Sequence, residues 1–434
     1  MDFKKLALEQ EQYMIDVRRY LHRHPELSAL EFETLKFIMG ELDKIGVPYV
    51  EVENGGIIAT IEGGTPGKTL LMRADIDALP VAEHPENLKG PRDCISETPG
   101  VMHACGHDAH TAMLLGAAKI LWASKSEIKG KILLVFERGE EGIGNMVYLM
   151  NYIDKNEIKI DGAWAIHMLA TLDSGKISLT SGPVMAGGVG FDVVIKGKGG
   201  HSSRPDMANN PLDCFNAIYT ALQSIRMRNI SPYEPLTLSV CLVEGATKSN
   251  VIPETIRFSG GARVFDADKT GFPFYYAVQR VIENICRAYD CEWEYLSLRK
   301  PSPAVVNDAD CCKLAEQAVT KALGAEYIQN EEPWMASEDF GVYLQLWPGL
   351  LAFVGIQNPE KGSGAAHHND QFEMDDDVLV LGATSSLAYA FEFLESDLDT
   401  TSKKFPGRPM ELLDKIRWPN TDFIDEVLGR TTGE

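Results

Sequence analysis

Basic side chains are scarce in this 434-residue sequence relative to acidic ones: 41 Lys and Arg stand against 63 Asp and Glu, a formal net charge of −22. A nucleic-acid binder needs a basic footprint to displace counterions from phosphate, and an anionic membrane surface makes a similar demand, so the composition argues against both partners. Long apolar runs of the roughly 20 residues that span a bilayer are missing as well. The opening Met1-Asp2-Phe3-Lys4-Lys5 leads into an amphipathic pattern without the apolar segment of a signal peptide, and the expectation is a cytoplasmic protein. Eight cysteines, scattered apart from adjacent Cys311 and Cys312, make no disulfide framework and include no Cys-x-x-Cys pair of a structural zinc site. Internal repeats and low-complexity tracts are absent.

What is present is an alternation of elements on a chain long enough for two domains. A helical period carries Leu6, Tyr13, Val17, Tyr20 and Leu21 up to Pro25. Ser28-Ala29-Leu30-Glu31 has the form of a capping box opening a second helix, with Phe32, Leu35, Ile38, Met39, Leu42 and Ile45 on its core face. Short apolar strands follow at 57–61, 69–74, 131–137 and 163–167, separated by helical patterns at 111–123 and 143–152. This predicts an α/β domain whose sheet is mostly parallel and binds ligands beyond the carboxyl ends of its strands. Between 187 and 301 the order becomes β-α-β-β-α-β, that of an inserted ferredoxin-like α+β domain. The expected organisation is a catalytic domain in two parts, 1–186 and 302–434, around a 187–301 insertion; the last 35 or so residues show no pattern and read as a tail.

The chemistry-bearing residues collect at the strand ends. Asp75 and Asp77 follow one strand, Glu140 and Glu141 another, and His167 closes a third. The run Met102-His103-Ala104-Cys105-Gly106-His107-Asp108-Ala109-His110 adds a thiol and imidazoles around a glycine, donors that suit zinc and related ions. Taken alone, Cys-Gly-His describes equally a buried thiol beside a hydrogen-bonded histidine. Glu140-Glu141 could be a solvated helix start, and His367-His368 a polar loop. As a set, adjacent carboxylates at a buried strand end point to a division of labour, one ligating a metal and the other moving a proton for a metal-activated water.

The ordered motifs strongly resemble the amidohydrolase branch of the aminoacylase/glutamate-carboxypeptidase family, which holds hippurate hydrolases, N-acetyl-amino-acid deacetylases and auxin-conjugate hydrolases. They run from Leu21-His22-Arg23-His24-Pro25-Glu26-Leu27-Ser28 through Arg73-Ala74-Asp75-Ile76-Asp77-Ala78-Leu79-Pro80 and Gly100 to Thr111. Glu140-Glu141-Gly142, Gly199-Gly200-His201-Ser202-Ser203-Arg204-Pro205, Asn250-Val251-Ile252-Pro253, Ser337-Glu338-Asp339-Phe340 and His368 follow in order. The resemblance implies two divalent ions, Mn or Zn before Co or Ni, on Cys105, His107, Glu141, His167 and His368. It further implies Glu140 as general base and acid, Asp77 in support behind the metals, His201 at the developing oxyanion, and Asn250 and Arg263 on the substrate. The inserted domain becomes a lid that mediates a homodimer. The implied reaction is hydrolysis of N-acyl amino acids or related small amides. A dipeptidase, or an aminohydrolase acting on a small aromatic acid, stands second, and a non-catalytic metal-binding protein third. One departure stands out: relatives usually carry Phe-Gln-Pro-Ala before the paired glutamates, and this chain carries Phe136-Glu137-Arg138-Gly139. Glu137 and Arg138 either pair with each other or reshape the pocket.

Overall fold

The computed structural model describes residues 1–142, 144–401, 405–418 and 421–430. Its larger sheet has seven strands in the order Tyr49–Val52, Gly56–Glu62, Lys129–Glu137, Thr65–Asp75, Gly162–Asp173, Gly349–Gln357, Ile177–Ser178. The four strands from Lys129–Glu137 to Gly349–Gln357 are mutually parallel, and every pairing outside them is antiparallel. The expected mostly parallel sheet is therefore a mixed one. The strands 49–52 and 56–62 are joined by a short turn with Asn54 at φ +60, and so short a connection can only make an antiparallel pair.

Helices cover both faces of this sheet and enclose two apolar clusters. One includes Leu70, Met72 and Trp164; the other includes Leu71, Ala163 and Val135, as strand alternation requires. The helix Val378–Glu395 is long and apolar enough by composition to cross a membrane, but 83% of that window is buried. It packs against His107–Ala123 and Ala309–Ala322 within the core.

Residues from Gly187 to Leu298 build a second sheet of four antiparallel strands, Leu236–Glu244, Thr255–Val264, Gly187–Lys196 and Glu292–Leu298 in spatial order. The helices Pro211–Arg228 and Phe272–Ala288 pack on one face, around a third cluster that holds Val189, Phe191, Val193 and Ile195. The opposite face carries Gly188, Gly190 and, level with Gly188, Arg263.

Several local expectations are revised. The first helical pattern is two helices, Phe3–Leu8 and Glu11–Arg23, and Tyr20 is exposed. Ser28 caps nothing: its hydroxyl donates to Asp77 Oδ2 at 2.6 Å. The helix Phe32–Ile45 is capped instead by Glu26, whose carboxylate accepts from the backbone of Glu33 and Thr34. Phe32 is exposed and lies under the Arg138 guanidinium. Ile143, where the sequence pattern begins a helix, lies outside the described residues, and the helix is Met146–Lys155. The residues read as a tail contain two more helices, Pro409–Ile416 and Thr421–Val427, with Met410, Leu412, Leu413 and Ile424 buried.

Candidate metal centre

Gly106 opens the helix His107–Ala123 at φ +88, in the left-handed region, and a Cβ there would meet Met168 Cγ at 2.9 Å. Only glycine fits that turn without strain, and it brings Cys105 and His107 together. Their ligand atoms and that of His167 all lie within 4.8 Å of one another; Cys105, Glu141 and His368 form a second such group. The two triads share Cys105.

His167 reaches this point by register. The strand Gly162–Asp173 pairs with Thr65–Asp75 only as far as Ala165 opposite Arg73, then continues along Gly349–Gln357. His167 is thus an interior strand residue, not the terminal one its sequence implies, and lies just past the last pair with the shorter neighbour. Its Nδ1 is 2.6 Å from the Met168 carbonyl, so Nδ1 carries the proton and the Nε2 lone pair faces Cys105 Sγ at 3.6 Å. The same logic sets His107: Nδ1 donates to Asp77 Oδ1 at 3.1 Å, and buried Nε2 has no hydrogen-bond partner.

The remaining histidines separate by the same accounting. His110 donates from Nδ1 to Asp75 at 2.6 Å and accepts the Met168 N–H at Nε2, so no lone pair is left for an ion. His367 accepts the Ala170 N–H at Nε2, so its Nδ1, 3.7 Å from Cys105 Sγ, is the protonated nitrogen. His368 sits at φ +62, its backbone N–H held by the Ala104 carbonyl, and its Nε2 is 2.9 Å from Glu141 Oε1. His103 is buried outside these groups. Asp108 lies behind the site, holding Arg18 at 3.0 Å and His22 at 2.9 Å.

Charge identifies what the donors lack. Burial works against a proton on His107, yet the carboxylates of Asp75, Asp77 and Glu141 outweigh it and raise its pKa to about 10. Burial, then Glu141, Glu140 and Asp75, push the Cys105 thiol well above its usual range. The carboxylates that hold the His107 proton mark surplus negative charge around that ring, and donors of this mix suit divalent transition ions. A bound ion would supply the missing charge and favour the thiolate.

Glu140 lies beside these groups, its Oε1 accepting the Asp339 N–H at 3.3 Å. Burial, then Glu338, Glu141 and Asp339, raise its pKa well above the ordinary carboxylate value. Glu137 and Arg138 do not pair with each other, because successive strand residues point to opposite faces. Glu137 receives Arg73 at 3.0 Å and the Tyr343 hydroxyl at 2.6 Å, whereas Arg138 binds Glu31 at 2.8 Å on the other side. Buried Arg73 also contacts Asp75 at 2.7 Å and Glu338 at 3.0 Å, so its guanidinium is shared among three carboxylates behind the ligands. The sequence offered Arg73 and Glu338 only as parts of motifs, with no sign of that role.

The triads open into a cleft of about 1390 Å³ that runs from Cys105, Glu140 and His368 to the smaller sheet. Arg263 lines it and crosses Gly188, where a Cβ would meet Nη1 at 2.5 Å. His201 and Asn250 do not line this cleft; both are exposed, His201 within the short ribbon formed by Gly200–His201 and Val251–Ile252 and Asn250 just before its second strand.

This fold and donor set define a metal-dependent hydrolase of amide bonds, and comparison with known proteins fixes the family. The sequence profile of peptidase family M20/M25/M40 matches residues 71–390, and the chain belongs to that family. It is 34% identical over 392 residues to thermostable carboxypeptidase 1 of Saccharolobus solfataricus, covering 89% of this chain and 96% of that one. It is 33% identical over 404 residues to the IAA-amino acid hydrolase ILR1-like 4 of Arabidopsis thaliana, covering 90% and 89% respectively. Among solved structures, a dinuclear metal-binding peptidase of the M20 family from Bacillus subtilis superposes with a TM-score of 0.73 at 29% identity, covering 89% of this chain and 98% of that one.

Proposed function

We propose that the protein hydrolyses the amide bond of N-acyl amino acids or related small conjugates, with Cys105, His107, Glu141, His167 and His368 holding two divalent ions, manganese or zinc. The observation that carries this reading is the pair of ligand triads sharing Cys105, with Glu140 beside them lining the same cleft. Bound ions supply Lewis acidity that polarises an amide carbonyl and acidifies water. Glu140 takes the proton of the attacking water and returns it to the leaving nitrogen; its raised pKa, short of metal, fits a group that must hold that proton between the two steps. Asp77 orients His107 and accepts the Glu141 N–H at 3.0 Å. Arg263 receives the substrate carboxylate. His201 and Asn250, outside the cleft of their own chain, serve the oxyanion and the substrate from the second subunit of a homodimer joined through the smaller domain.

A dipeptide is the second reading, favoured by the carboxypeptidase name of one relative. Among the described residues Arg263, Arg299 and Lys300 line the cleft without a carboxylate partner, and they favour a substrate carboxylate, which N-acyl amino acids and dipeptides both carry. Hydrolysis of N-acyl amino acids and dipeptides with Mn²⁺ or Zn²⁺ restored distinguishes the two. Inactivity across both panels would refute the proposal.

A further inference from the structure

The cleft has a wall that lies beyond residue 390, where the family match ends. Helices Pro409–Ile416 and Thr421–Val427 are too short to be stable alone, so their place is set by what they dock on. Met410, Leu412, Leu413 and Ile424 bury into the cluster shared with helix Met146–Lys155, Arg408 pairs with Asp154, and the Phe423 ring meets Tyr148 edge-on at 5.0 Å. Between the helices Arg417 takes φ +53, a conformation a side chain resists. It is held there by Asp414 at 2.7 Å and by Asp425 through both guanidinium nitrogens, at 3.2 and 2.9 Å. Arg417, so held, leads directly into Trp418, which lines the cleft together with Phe423, on the same cavity as Glu140 and Trp334. Both rings pack against the core cluster yet are only partly buried, which leaves part of each facing the cleft.

We infer that Trp418 and Phe423 form a specificity wall for an aromatic acyl group on the amide substrate, an inference that rests on the function proposed above. At about 1390 Å³ the cleft exceeds the roughly 300–1,000 Å³ usual for small-molecule sites, and an N-acetyl group leaves most of it unfilled. Flat rings are suited to a wall of Trp and Phe, which offers area at little cost in side-chain freedom. The substrate then spans the cleft with its carboxylate at Arg263, its amide at Glu140 and its ring against Trp418.

Binding to the full-length Glu140→Gln protein loaded with Mn²⁺ tests this without turnover. The probes are N-benzoyl and N-acetyl forms of one amino acid, titrated calorimetrically. The benzoyl compound is expected to bind at least tenfold more tightly, Trp418→Ala to remove that advantage, and Trp418→Phe to restore most of it, with the acetyl affinity and melting temperature unchanged. Equal affinities for the two compounds, or an advantage that survives Trp418→Ala, overturn the inference; so does a variant that loses both ligands alike. Should Trp418→Ala misfold, Phe423→Leu carries the same expectation. A wild-type enzyme inactive on every N-acyl amino acid would instead defeat the proposed function, and the binding comparison would still decide the wall.

Discussion

Asp77 and His107 meet at 3.1 Å, and the other oxygen of the same carboxylate accepts the Glu141 N–H at 3.0 Å. One buried side chain thus orients two proposed ligands drawn from a helix start and a strand end. Ser28 adds a third bond at 2.6 Å. Because the carboxylate fixes the His107 tautomer and aims Nε2, Asp77→Asn is expected to weaken metal affinity by roughly 10–100-fold without unfolding the chain. Competition with a calibrated chelator measures it, and an unchanged affinity would show that Asp77 plays no orienting part.

Glu140 belongs to neither of the two triads that share Cys105, although its carboxylate lies within 4.8 Å of the ligand atoms of His107 and Glu141, and the proposed role makes it a proton carrier and not a ligand. Glu140→Gln is accordingly expected to retain both ions while kcat falls by at least about 100-fold, the usual scale of a lost proton carrier. Metal content by emission spectroscopy, beside steady-state rates, gives both numbers. Substantial remaining turnover would remove Glu140 from its role.

His201 lies outside the cleft of its own chain, so its proposed contribution depends on a second subunit. His201→Ala is expected to lose activity while sedimenting like the wild type, as the proposed dimer. Mixing it with Glu140→Gln protein under subunit exchange should restore a fraction of the rate, since one of the two hybrid sites is then intact. Failure of complementation in a proven heterodimer would argue that each chain works alone.

A buried network sets a pH signature away from the metals. Burial lowers the pKa of His22, as does nearby Arg18, but hydrogen bonds to Asp108 at 2.9 Å and Glu83 at 3.0 Å prevail and bring it to about 9. A folded-state pKa above the unfolded value of about 6.5 means that protonated His22 stabilises the fold fully below that pH. This contribution, on the order of 3 kcal/mol by the pKa difference, is lost as pH rises through about 9. Urea unfolding at pH 6.5 and 9.5 should show the loss in wild type and a smaller one in His22→Gln. Parallel pH dependence in the two proteins would contradict the assignment.

Part of this centre could be read before folding because Asp75, Asp77, Glu140 and Glu141 follow apolar strands, where parallel sheets present ligands. Cys105, His107, Glu141, His167 and His368 are all brought together by the fold. Adjacent in one loop, His367 and His368 are alike as bare residues; the family resemblance singled out His368, and the fold distinguishes them by the Ala170 N–H held at His367 Nε2 and the His368–Glu141 contact. The sequence could not reveal Arg73 as the cation shared by Asp75, Glu137 and Glu338, since the last two are distant from it in sequence. The helices at 409–416 and 421–427 were illegible for another reason. Each is about two turns long, too short for a period to emerge, and tertiary packing supplies their stability.

Titration of the metal-depleted protein with Mn²⁺, following bound metal and hydrolysis of an N-acyl amino acid in the same sample, tests the dinuclear centre most directly. The two triads predict activity that rises until two equivalents per chain are bound and disappears on chelation. Full activity at a single equivalent, or hydrolysis indifferent to metal, would contradict it.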